Sequence, residues 1–119
     1  MTHHRSEIWM VDFGNPVGTE LAKEHPGVIV SVDEINITRV IVVPGTSTQM
    51  VNSKGETVLS HETVAANSSN GLNNTTYFMA EQVRSISVDR LRRLMGRLAS
   101  AHMRGVEDRL CLVMRLFRS

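Results

Sequence analysis

The stretch EIWMVDFGNPVGTELAKEHPGVIVSVDEINITRVIVVPGTST, residues 7–48, decides how this chain is read. It contains three runs rich in β-branched and aromatic residues, 8–13, 28–33 and 39–43. Such residues suit the pleated, half-buried surface of a sheet, so each run is expected to be a strand. Alternation along the first run puts Trp9, Val11 and Phe13 on one face and Ile8 and Met10 on the other. Residues 14–25 carry Asn15-Pro16 and Gly18 and show no period, which marks a loop. Pro26 and Pro44 bound the second and third runs, and residues 34–38 are short enough to join them as a hairpin. Groups able to meet a phosphate stand at the run ends, His25 before the second and Thr46-Ser47 after the third.

Working outward, residues 56–65 and 77–86 read as further strands, 87–89 as a turn and 94–98 as a last short strand. Between them, residues 67–76 hold four Asn, two Ser, two Thr, one Gly and Leu72. That composition favours turns and offers very little to bury, so a mobile surface loop is expected. From Ser100 the period changes, with Met103, Val106, Leu110, Val113 and Phe117 at intervals of three, four, three and four. This predicts a helix capped by Ser100 with its apolar stripe toward the core and Arg104, Asp108, Arg115 and Arg118 opposite. Many short strands and one terminal helix predict a mainly β fold of the small-barrel type, with residues 1–119 forming a single domain.

A chain of 119 residues lies near the common domain size and can bury one core. With only five aromatic residues, that core must rely on Val, Ile, Leu and the seven Met, whose side chains pack adaptably. Cys111 has no second Cys to pair with, which suits a reducing compartment. The longest apolar run, 110–114, is far shorter than the ~20 residues that cross a bilayer. Residues 1–12 also lack the apolar stretch of a signal peptide, so a cytoplasmic protein without membrane association is expected.

The net charge of +1 hides an asymmetry. Residues 1–83 carry four Lys/Arg against nine Asp/Glu, whereas residues 84–119 carry nine Arg against three acids. The basic third reads either as the positive face of a phosphate-binding protein or as an ordinary solvated helix face. An acidic partner with a partly disordered tail fits the same charge.

Several motifs stand in a telling order: Asp12-Phe13-Gly14 after the first strand, Pro16-x-Gly18-x-Glu20 in the loop, His25-Pro26, and Val43-Pro44-x-Thr46-Ser47. They are followed by SNGLNNTTYFMAEQVRSISVDRL (69–91) and GRLASAHMRGVEDRLCLVMRLF (96–117). Together these resemble the MazF/PemK family of toxin–antitoxin endoribonucleases over almost the whole chain. The resemblance implies an SH3-like barrel, a homodimer with a shared groove, and a cognate antitoxin. It also implies single-stranded RNA as substrate, cleaved without a metal or other cofactor. In that chemistry the ribose 2′-hydroxyl attacks the adjacent phosphate and leaves a 2′,3′-cyclic phosphate and a free 5′-hydroxyl. One group must take a proton, one must give a proton, and donors must stabilise the phosphorane.

The resemblance assigns catalytic places to His25, Thr46 and Ser47, and RNA contacts to Thr19, Glu20, Glu81 and Arg84. His25 stands where the family carries Arg. A protonated imidazole can stabilise an oxyanion and a neutral one can accept the 2′-proton; the plainer reading makes His25 a loop residue at a strand end and Thr46 a good strand residue. Some relatives have His before the loop Glu, where Thr19 stands, and most have Gln after it, where Leu21 stands. One branch uses an acidic base with Arg two residues earlier; here Glu81 takes the acidic place and Met79 the Arg place. Arg84 is equally suited to pair with Glu81 or Glu20. His3 and His4 lie in an expected frayed terminus, while His61 and His102 lack companions at metal-ligand spacing. A gyrase-binding toxin of the same fold and a non-catalytic RNA binder are the alternatives. The first leans on a Trp near the C-terminus, whereas the only Trp here is Trp9.

Overall fold

The second and third runs, Val-Ile-Val and Val-Ile-Val-Val, do not alternate between apolar and polar residues, and the structure gives the reason. It is a computed structural model that describes residues 2–19 and 23–116. Strands β1 (Glu7–Asp12), β2 (Glu24–Ile29) and β3 (Arg39–Thr46) lie side by side and are apolar on both faces. Ile8, Val28 and Val43 enter one core, whereas Trp9, Val11, Ile29, Val40 and Val42 enter a second core on the other face. Near-continuous apolar runs are what a sheet buried on both faces requires. Each such Val or Ile contributes about 1.5–3 kcal/mol by leaving water.

The remaining strands are β4 (His61–Val64), β5 (Thr76–Met79), β6 (Arg84–Ser87) and β7 (Leu91–Arg97). All ladders are antiparallel, in the order β4-β5-β3-β2-β1-β7 with β6 also on β3. Among the described residues no ladder joins the end strands β4 and β7, so the expected small barrel is not closed by hydrogen bonds. The loop after β4 spans the gap instead. The Arg97 N–H donates to the Ser69 carbonyl at 3.0 Å, and Gly71 lies so near β7 that a Cβ would sit 2.0 Å from the Met95 carbonyl oxygen. Gly71 also has φ +68, so two independent constraints select glycine there.

Helix α1 (Ser100–Met114) covers the first core with Met103 and Val106, and Leu110 packs at its margin. Ala99, not Ser100, is its N-cap, and no side chain caps it. Val113, placed by period in the apolar stripe, is 39% exposed because the helix runs beyond the core. Phe117 and Arg118 lie outside the described residues.

Tertiary pairing changed three further expectations. Strand β2 starts at Glu24, inside the expected loop, because Asp12, Val11 and Met10 pair with Glu24, His25 and Pro26. Both prolines are tolerated within strands: β3 joins β2 only from Gly27, and on the other side of β3 the ladder to β6 ends at Val42 while that to β5 begins at Gly45. Each missing N–H thus falls where no ladder bond is formed on one side. The expected strand 77–86 is cut into β5 and β6 by a 3-10 turn at Ala80–Gln82, which lets the chain change its place along β3. The expected strand 56–65 is ordered as a strand only over His61–Val64, with one bridge from Val51 to Thr57 before it.

Segment 67–76 is the largest correction. Its Leu72 is in the first core, and Asn70 is 3% exposed. The Asn67 and Asn70 side chains each accept the other's backbone N–H, at 2.8 and 3.0 Å, and the Asn70 amide donates to the Ala65 carbonyl at 2.9 Å. Asn residues read as turn formers here supply hydrogen bonds that replace a backbone ladder.

Candidate active site

The site is built where β2 begins and β3 ends. Met10 pairs with Pro26, Val11 with His25, and Gly27 with Pro44, so the end of β3 runs back beside His25. His25 and Ser47 line one cleft of about 130 Å³ together with Asn73, Asn74 and Thr76. Met10, Pro26 and Met95 form its apolar part. Gly45 is needed just before it, since a Cβ would lie 2.5 Å from the Thr76 methyl and 3.1 Å from the Phe78 ring. Thr46, half-buried on the alternate side of the strand end, accepts the Thr48 N–H at 3.2 Å. Its hydroxyl proton stays available for donation.

A second, wider groove of about 680 Å³ brings together Thr19, Glu81 and Arg84 beside Met50. Glu81 meets His61 Nε2 at 2.9 Å. The His61 side chain is fully buried, and its Nδ1 has no hydrogen-bond partner among the described residues. Burial tends to raise the Glu81 carboxyl, but hydrogen bonds from His61, from its own backbone N–H and from Ser60 outweigh that and hold it below the ordinary carboxylate range. Glu81 is therefore a fixed anion. Arg84 is not its partner: the guanidinium lies over the Phe13 ring, 4.6 Å from the centroid. Glu20 lies outside the described residues, so the expected contact through it has no geometry.

Thus the sequence-derived candidates fall into two places, His25 and Ser47 in one cleft and Thr19, Glu81 and Arg84 in another, with Thr46 at the end of β3. His61 was set aside as a lone histidine. No local signal marks it, because its partner is 20 residues away and only the pairing of His61 with Met79 brings the two together. His102 likewise finds Glu62 at 2.7 Å, and Arg109 binds the same carboxylate at 2.9 Å, clasping α1 to β4. The N-terminal histidines are held rather than frayed: His4 meets Asp33 at 2.8 Å and His3 packs against Trp9 with centroids 5.4 Å apart. No group of three His, Cys, Asp or Glu able to hold a metal forms among the described residues.

The basic third is only partly free. Arg92 binds Asp12 at 3.0 Å and Arg90 donates to the Asp12 carbonyl at 3.1 Å. The Arg92 guanidinium, followed by the Gly14 N–H, holds the Asp12 carboxyl below its usual range. No helix among the described residues is long and apolar enough to cross a membrane.

The chain is similar in sequence and fold to known proteins. Residues 4–114 match the family model for the PemK-like, MazF-like toxin of type II toxin–antitoxin systems. The chain is 33% identical over 109 residues to Endoribonuclease MazF9 of Mycobacterium tuberculosis strain ATCC 25618 / H37Rv, covering 91% of this chain and 92% of that protein. In fold it is similar to MazF from Deinococcus radiodurans, with TM-score 0.79, 15% identity and 97% and 98% of the two chains covered. It is similar also to a mycobacterial endoribonuclease solved with its cognate antitoxin, with TM-score 0.75, 22% identity and 98% and 99% covered. A family match over residues 4–114 and a relative 33% identical across nearly the whole chain carry the conclusion: this chain belongs to the PemK-like, MazF-like family of type II toxin–antitoxin toxins.

Proposed function

We propose that this protein is a toxin acting in the cytoplasm as an endoribonuclease on single-stranded RNA, the chain 1–119 serving as one toxin domain. The observation that carries the reading is the cleft shared by His25 and Ser47 within the matched residues 4–114, with Thr46 next to Ser47 in the chain. The imidazole takes the 2′-proton as the 2′-oxygen bonds to phosphorus. The Ser47 hydroxyl donates a hydrogen bond to a phosphorane oxygen with Thr46 as a second donor at the strand end, and the 5′-oxygen takes a proton from solvent as its bond to phosphorus breaks. The products are a 2′,3′-cyclic phosphate and a 5′-hydroxyl, and none of these steps calls for a metal. The name of the relative MazF9 and the antitoxin-bound mycobacterial relative support both the activity and a cognate antitoxin. The protein works as a homodimer, and its antitoxin binds as an extended acidic and apolar segment over residues 14–25 and nearby arginines.

Incubating the purified protein with a long RNA in EDTA tests the reading. Discrete cleavage is expected, with 3′ ends that accept no ligation until the cyclic phosphate is removed. Intact RNA would instead favour the second reading, a non-catalytic RNA-binding relative, for which the replacement of Arg by His25 is the specific observation.

A further inference from the structure

The cleft has no cation at the place where the family carries Arg before Pro, yet a phosphodiester entering it must be held. Edge strand β7 offers one. Met10 is paired on one side with Pro26 and on the other with Arg93, so the three lie in one row across β2, β1 and β7. Directly paired residues project from the same face of a sheet. Met10 and Pro26 both line the cleft, which places Arg93 on that face at its rim. Pairing between β1 and β7 shifts register twice, between Ile8 and Trp9 and between Met10 and Val11, which leaves Met95 and Arg92 as extra residues on β7. Such irregularities re-aim side chains; here Met95 lines the cleft and Arg92 turns to Asp12.

Three cations close to β1 are engaged. Arg90 and Arg92 are held by Asp12, and Arg84 stacks on Phe13. Arg93 is exposed and makes no hydrogen bond or ion pair with a described residue. Residues 69–71 cover the edge of β7 at Met95–Arg97, and no described strand pairs with that edge at Arg93, so an RNA strand can pass there. Two strand spacings, roughly 10 Å, separate Arg93 from β2, which suits a flanking phosphate and not the one attacked beside His25.

We propose that Arg93 is a phosphate-binding residue that holds the RNA backbone flanking the cleavage position at the rim of the His25–Ser47 cleft. The inference rests on the ribonuclease reading. Its test uses the full-length protein and an RNA carrying a single 2′-deoxyribose at the cleavage site mapped with the wild type, so that it binds without being cut. Affinity is measured by fluorescence anisotropy across a salt series. Arg93→Gln should weaken binding several-fold at low salt and lower the slope of log affinity against log salt by about 0.7, the value for one single-strand phosphate contact. Its kcat on saturating RNA should stay at the wild-type value, with the loss in KM. Arg93→Lys should retain the slope, since a point charge still neutralises phosphate. Arg104→Gln, on the exposed side of α1, should change neither quantity. The proposal falls if Arg93→Gln behaves like Arg104→Gln while wild-type protein cuts and binds RNA. Absence of both cutting and binding in the wild type would remove the ribonuclease reading itself, and this subsite with it.

Discussion

The two clefts that receive the candidate residues differ in kind. The His25–Ser47 cleft is small and lined by polar groups and thioethers, and its imidazole makes no hydrogen bond or ion pair with a described residue. The Thr19–Glu81–Arg84 groove is wider and holds a fixed anion over buried His61 and a fixed cation over Phe13. The first has a proton carrier with freedom to react; the second has charges already committed to protein partners. Groups locked by their neighbours shape and orient, whereas chemistry needs one that changes state. In the function we propose, the first cleft therefore carries the reaction and the second recognises the strand.

The sharpest way to break that division is to remove the imidazole. His25→Ala should lower the cleavage rate by roughly 10²-fold or more with the fold intact, the scale for losing one acid–base group. His25→Arg, which supplies a permanent cation but no group able to accept the 2′-proton, should not restore the wild-type rate. Equal cleavage by wild type, His25→Ala and His25→Arg would move the chemistry to the other groove.

A smaller effect is expected from His61. His61→Ala removes a fully buried ring and the hydrogen bond that holds Glu81, and should cost about 2–3 kcal/mol in urea unfolding at pH 7. The folded-state pKa of Glu81 is lowered from its reference value of 4.5, so its stabilising contribution is complete above pH 4.5 and is lost as pH falls through the folded value. The stability gap between wild type and Glu81→Gln should accordingly narrow on acidification below pH 4.5. A gap that widened would mean that Glu81 is not the held anion.

The smallest effect concerns Arg84. Arg84→Leu loses the stacking on Phe13, worth about 0.5–1 kcal/mol where the cation keeps contact with water, and should shift thermal unfolding only slightly. If the groove recognises RNA, KM should rise while kcat holds; a fall in kcat comparable to that of His25→Ala would merge the two clefts into one catalytic unit.

Much of the fold was legible because period and residue type act locally. Trp9, Val11 and Phe13 alternate with Ile8 as expected, and the non-alternating Val/Ile runs do form strands, although only the structure showed that a core lies on each side. The stripe Met103, Val106, Leu110 was found by its spacing. Segment 67–76 was misread because Asn is ambiguous by nature: the same amide makes an exposed turn or, when paired as Asn67 with Asn70, a buried clamp. His25 and Ser47 were placed by motif, but that they line one cleft depends on the register of Met10 with Pro26 and of Gly27 with Pro44.

By itself the sequence determined a mainly β chain, the terminal helix and membership of a toxin family, since these depend on short-range periodicity and on motif order. Tertiary structure alone decided that prolines could lie inside strands, that His61 sits under Glu81, that Arg84 stacks on Phe13, and that Arg93 shares a row with Met10 and Pro26. Each of these depends on which residues of distant strands stand opposite one another. A register shift of one residue turns a side chain to the other face, and no local pattern in the chain specifies that choice.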